Sequence, residues 1–113
     1  IARLRLGEAS VALASRELIC ANGATAVQVG DTFYFDAVIQ VRTIGASGTA
    51  VGMVQFKNTD TASMNFQSTL KASFTLNTQV RNTISVTGQW SAASASNSCR
   101  SDIFVVDIVN PST

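Results

Sequence analysis

"TFYFDAVIQVRT", residues 32–43, alternates over its whole length. Phe33, Phe35, Ala37, Ile39 and Val41 share one side, while Tyr34, Asp36, Val38, Gln40 and Arg42 share the other. Successive side chains leave a pleated strand on opposite faces, so a period of two predicts a β-strand. The wholly apolar side predicts a core face. The mostly polar side predicts a wet or interfacial one.

The same period runs outward in both directions. "IGASG" at 44–48 predicts a turn into a strand over 49–57, "TAVGMVQFK". There Val54 and Phe56 compete with Val51 and Met53 for the inward side, and Gly52 marks a bulge or a close backbone approach. "NTDTAS" at 58–63 predicts a loop and 64–68 a short edge strand. Residues 72–78 form a further strand with Ala72, Phe74 and Leu76 inward. Residues 82–90 follow as a strand with Ile84, Val86 and Trp90 inward. "SAASASNS" at 91–98 suits a flexible connector or an ordered loop. "DIFVVDIV", 102–109, predicts a closing strand with Phe104, Val106 and Ile108 facing the core, ended by Asn110-Pro111.

Towards the N-terminus, 11–20 predict a first strand. Residues 14–21, "ASRELICA", would suit a helical turn, but Ile19 and Cys20 favour the strand. Asn22-Gly23 is a turn signal, with a short alternating piece at Val27 and Val29 after it. Residues 1–10 read as an arm or linker from a longer chain. The expectation is one all-β domain over 1–113: an antiparallel β-sandwich, jelly-roll-like, of seven or eight strands.

Eight Lys and Arg stand against seven Asp and Glu, a net charge of +1. That argues against the clustered basic face of a nucleic-acid binder and against a polybasic membrane anchor. Charged residues make up 13% of the chain, about half the usual share. A surface of Ser, Thr, Asn and Gln repels itself weakly. It suits a piece packed in a large assembly, or equally a neutral secreted domain. No apolar run is long enough to span a membrane as a helix. Glu8, Arg16 and Glu17 interrupt the opening stretch, so it is not expected to be a signal peptide. Cys20 and Cys99 would close a loop of about 80 residues if bridged. They equally suit free, buried thiols, which is the reading preferred here.

The chemistry-bearing residues are sparse. With no His, neither a Ser-His-Asp nor a Cys-His arrangement is available. Lys57 and Lys71 are conceivable bases but read as solvated strand ends. Asp36 and Asp107 both fall opposite the aromatic faces of their strands. They would have to meet within about 5–10 Å to hydrolyse a glycoside, and outward hydrogen-bonding acids are the simpler reading. The Gly-containing stretches lack the Lys-Ser/Thr of a phosphate loop. Asp31, Asp60 and Asp102 make no calcium loop, and two Cys without His make no zinc site. The expectation is therefore no enzyme, no catalytic residue, no cofactor and no metal. Trp90 follows the inward phase of its strand and is assigned to the core. Tyr34 points away from Phe33 and Phe35, which makes it the candidate for a subunit or ligand contact. A threefold contact through that side would also cover Val38.

"NTISVTGQWSAASASNSCRSDIFVVDIV", 82–109, resembles a stretch of small jelly-roll domains in phage virion proteins: tail fibres, tail spikes and head fibres. There a strand ending in "QW" is followed by a Ser/Ala-rich connector and a last hydrophobic strand. "GDTFYFDAVIQVRTIGASGTAVGMVQF", 30–56, is similar to their two long strands around a turn, so the likeness covers about 80 residues, from Gly30 to Val109. It implies a β-sandwich, commonly trimeric, that decorates the virion or binds host surface glycans. The motifs are compositional and carry no functional residue across. The expected function is a structural component of a phage virion, located in the virion. Its expected partners are its own copies as a homotrimer, other virion proteins and a host surface glycan, with no nucleic acid and no membrane. The alternatives are a carbohydrate-binding module of a secreted protein and a capsid shell domain of a small virus.

Overall fold

The computed structural model describes residues 1–21, 31–59 and 64–109. Among them lie six strands: β1 Ala2–Glu8, β2 Glu17–Ala21, β3 Thr32–Thr43, β4 Thr49–Thr59, β5 Met64–Thr75 and β6 Asn82–Gly88. They form two three-stranded sheets, ordered β2-β1-β6 and β3-β4-β5, with every pairing antiparallel. The chain is an all-β antiparallel sandwich.

The core follows from alternation in both layers. Leu4 and Leu6 point inward from β1, with Leu4 flanked in register by Cys20 and Val86, and Leu6 by Ile84. They join Ile19 and Cys20 from β2, Ala50 and Val54 from β4, and Phe74 and Leu76 from β5 and its end. Phe35, Ile39 and Ile84 pack against this cluster. Phe56 is buried too, its ring centroid 4.9 Å from that of Phe35. Between the layers the Lys71 ammonium meets the Glu17 carboxylate at 2.6 Å.

Residues 1–10, expected as an arm or linker, contain β1, the central strand of its sheet. Residues 11–16 do not extend the first expected strand. They fold back through a 3-10 turn at Leu13–Ser15. Arginines hold them there: Arg16 donates to the Val11 and Ala9 carbonyls and to Ser85 Oγ, and Arg5 donates to the carbonyls of Ala14 and Arg16. Several arginine donors aimed at backbone carbonyls outweigh the β-propensity of two apolar residues.

Residues 32–43 form a strand over the expected span, and the turn after it is built as expected. Gly45 has a φ of 122°, and the Gly48 amide donates to the Gly45 carbonyl. Residues 64–68 and 72–78 are not two strands but parts of one. Leu70 and Lys71 carry the ladder through opposite Met53 and Gly52, and an irregularity between Ala50 and Gly52 absorbs the change of phase.

The seven or eight expected strands become six among the described residues, chiefly because 102–109 pair with nothing there. Trp90 is not a core residue. Ile1 and Gln89 exchange hydrogen bonds at the end of β6, the chain then leaves the sheet, and the indole stays half exposed. The connector is an ordered turn: Asn97 donates from its amide to the Ser94 carbonyl and from Nδ2 to the Ala92 carbonyl. Cys20 is buried and Cys99 exposed, and both thiols are free, so burial holds for one of the pair. The expected turn at Asn22-Gly23 and the piece at Val27 and Val29 fall outside the described residues.

Candidate interaction surface

Tyr34 and Val38 stand on the outward side of the β3-β4-β5 sheet, where the alternation of 32–43 places them. Register extends that side across three strands. Val38 lies opposite Met53, and Met53 opposite Leu70, so one apolar row crosses the sheet. All three are exposed, at 64%, 53% and 78% respectively. Neighbouring strands lie about 4.8 Å apart, which makes these side chains lateral neighbours. One step along, Asp36 faces Gln55 and Gln55 faces Ser68; a further step brings Tyr34 opposite Lys57. The Lys57 ammonium lies 5.9 Å from the Tyr34 ring centroid. An exposed contact of that kind contributes about 0.5–1 kcal/mol, enough to bias how the ring is presented. A rim of polar groups around an apolar row is the usual layout of a contact surface.

Sequence reasoning found Tyr34 and Val38 but not Met53 or Leu70. A signal for Met53 was present, because its phase opposes that of Val54 and Phe56. Leu70 fell between two segments read as separate strands.

The other candidate residues do not gather. Asp36 lies on β3, whereas Asp107 lies on an unpaired stretch, so no shared ladder brings the two acids together. Lys71 is tied to Glu17 rather than solvated at a strand end. Asp102 pairs with Arg100 at 2.6 Å. Asp60 falls outside the described residues. Among those described, no three His, Cys, Asp or Glu side chains cluster as metal ligands, and no helix is long and apolar enough to cross a membrane.

One cleft of about 210 Å³ opens between Glu8, Arg16, Asn77 and Asn82. Its polar groups brace the fold: Asn77 Nδ2 donates to Glu8 Oε1, and Asn82 Nδ2 to the Asn77 and Val80 carbonyls. Arg16 is also spent on loop carbonyls, whereas Asn82 Oδ1 is buried there without a hydrogen-bond partner.

No protein-family model matches the chain, and no curated protein or solved structure matches it.

Proposed function

We propose that this chain is a structural component of a phage virion, a fibre, spike or decoration domain whose work is assembly. The observation that carries the reading is the exposed apolar row Val38–Met53–Leu70 with Tyr34 beside it. Three large apolar side chains in register on a solvent-facing sheet form a surface that association would bury. A second copy of this chain is the occupant that fits. At a net charge of +1 and with 13% charged residues, two copies meet with little repulsion. The resemblance of 30–109 to jelly-roll virion domains supports the same reading and adds a homotrimer, other virion proteins as neighbours, and attachment to host surface glycans. On this reading the sandwich is completed to a jelly roll by strands beyond the six. A carbohydrate-binding module would instead need a platform of rings, and among the described side chains of this face that role falls to Tyr34 alone.

Light scattering coupled to size exclusion tests the proposal. The expected mass is about three times the 11.9 kDa of one chain. The double variant Val38→Glu, Met53→Glu should lower it by placing like charges in the contact. A single-chain mass at all concentrations, or an oligomer indifferent to the double variant, would remove the outward face from the assembly.

A further inference from the structure

"DIFVVDIV" has the composition and period of a strand, but among the described residues it pairs with none. Among the described residues, 103–109 make no hydrogen bond. Ile103, Val105, Ile108 and Val109 are 79–85% exposed, and Phe104 and Val106 51–55%. The two sides of the segment read Phe104, Val106, Ile108 and Ile103, Val105, Asp107, Val109. Apolar residues thus stand on both faces. A strand closing one side of its own sandwich needs a single apolar face, whereas one covered on both sides reads as this segment does.

The inner side of β3 is only partly covered. Phe33, Phe35, Ala37, Ile39 and Val41 face inward from β3, yet the row is poorly covered: Phe33 is 39% exposed, Val41 45%, and Ala37 is exposed as well. Their partners on β4 are shut away, with Ala50 and Val54 at 0%. The opposing sheet therefore stops short of β3. Its nearest strand is β2, which approaches β4 and β5. A Cβ built on Gly52 would lie 3.5 Å from Ile19 and 3.7 Å from Ile39, so Ile19 reaches across to the middle of the β3 row. Beside it the far edge of β2 is open. Among the described residues β2 pairs with β1 alone, and none of its residues bonds elsewhere through the backbone. The inner row of β3 is thus covered in part: Phe35 and Ile39 pack against the core, while Phe33, Ala37 and Val41 stay exposed.

We propose that residues 102–109 cross to a second copy of this chain, pair with the free edge of its β2 and cover the exposed positions Phe33, Ala37 and Val41 on the inner side of its β3. The inference rests on the reading of the chain as a self-assembling component. An open edge recruits a strand through its unpaired amides and carbonyls, and the exposed apolar positions select an alternating apolar one. The surface area agrees. The chain exposes 8072 Å², about 2,000 Å² above a closed monomer of its mass, and a standard interface takes about 800 Å² from each partner. Each copy gives one strand and receives one, so the exchange closes as a dimer or a ring. The uncovered second side of the strand is then available to a further copy.

Photocross-linking in the full chain tests this. Phe104→p-benzoylphenylalanine is prepared in nitrogen-14 and nitrogen-15 forms, which are unfolded together, refolded as an equal mixture and irradiated. The expected products join position 104 to residues 17–21 or 33–41, with mixed-isotope pairs as abundant as same-isotope pairs. Same-isotope products alone would mean the strand folds back on its own chain, and would overturn the exchange. Products elsewhere, or none, would overturn it as well. As a second measurement, Val106→Asp should lower the solution mass while Cys20 stays protected from thiol reagents, which shows the sheets intact; an unchanged mass would overturn the proposal. The two readings separate cleanly. An oligomer sensitive to Val38→Glu, Met53→Glu but giving same-isotope products alone removes only the strand exchange. Mixed-isotope products from an assembly indifferent to that double variant remove only the outward face.

Discussion

Gly48 and Gly52 are both strand-flanking or strand glycines, and the structure gives them opposite tolerance. A Cβ on Gly48 would sit 2.6 Å from the Thr43 carbonyl oxygen and 2.7 Å from that of Leu76. Both are backbone atoms of the turn that seats the end of β5, where the Leu76 amide donates to the Gly48 carbonyl at 2.7 Å. Neither can swing away as a side chain would. Gly48→Ala is expected to destabilise the fold towards the upper end of the about 1–3 kcal/mol typical of overpacking. At Gly52 the nearest atoms lie at 3.5–3.7 Å, which is ordinary contact. Because Gly in a strand costs about 0.5–1 kcal/mol relative to Ala, Gly52→Ala should be neutral or mildly stabilising. Urea midpoints of the two variants check the pair. Sequence alone flagged Gly52 and passed over Gly48. A glycine inside an alternating run interrupts a pattern, whereas one in a turn does not announce which carbonyls surround it.

At the scale of elements, the two sheets are joined by apolar packing and by a cross-layer ion pair, Lys71 with Glu17. Its side chains are 27% and 40% exposed, so water screens it. Glu17→Gln should cost under about 1 kcal/mol. The difference from the parent should shrink as the screening length falls from about 10 Å at 0.1 M salt to about 3 Å at 1 M. Paired urea titrations at the two salt concentrations read this out, and a large difference that ignores salt would count against it. The strands themselves were legible to varying degrees. β3 was readable end to end because twelve residues alternate without interruption. β5 was not, because its polar residues 67–69 and 71 resemble a break until β4 is set beside them as the ladder partner. β1 lies within residues 1–10, expected as an arm or linker, where three apolar residues alternate with arginines over too short a span to stand out. In the sheet Arg3 reaches Gln89 Oε1 and Arg5 reaches loop carbonyls, leaving Leu4 and Leu6 to the core.

On the scale of the whole molecule, the proposed exchange would let a sandwich with a partly covered inner row draw stability from its neighbours. Association of folded copies draws the folding equilibrium by mass action. The melting temperature should therefore rise with protein concentration, and the slope should flatten in Val106→Asp. Scans over a hundredfold dilution series check this, and a concentration-independent transition would place the stability within one chain.

Alternation in the sequence determined by itself that the chain is a β-protein, that Phe35 and Ile39 face inward, and that Tyr34 and Val38 face outward, since the two faces of a strand are fixed by local backbone geometry. Only the tertiary structure decided that Met53 and Leu70 stand in line with Val38, that the β2-β1-β6 sheet ends before β3, and that 102–109 pairs with none of the described residues. Those facts depend on which strands become neighbours and in what register. They are set by contacts between residues far apart along the chain, which a local period cannot encode.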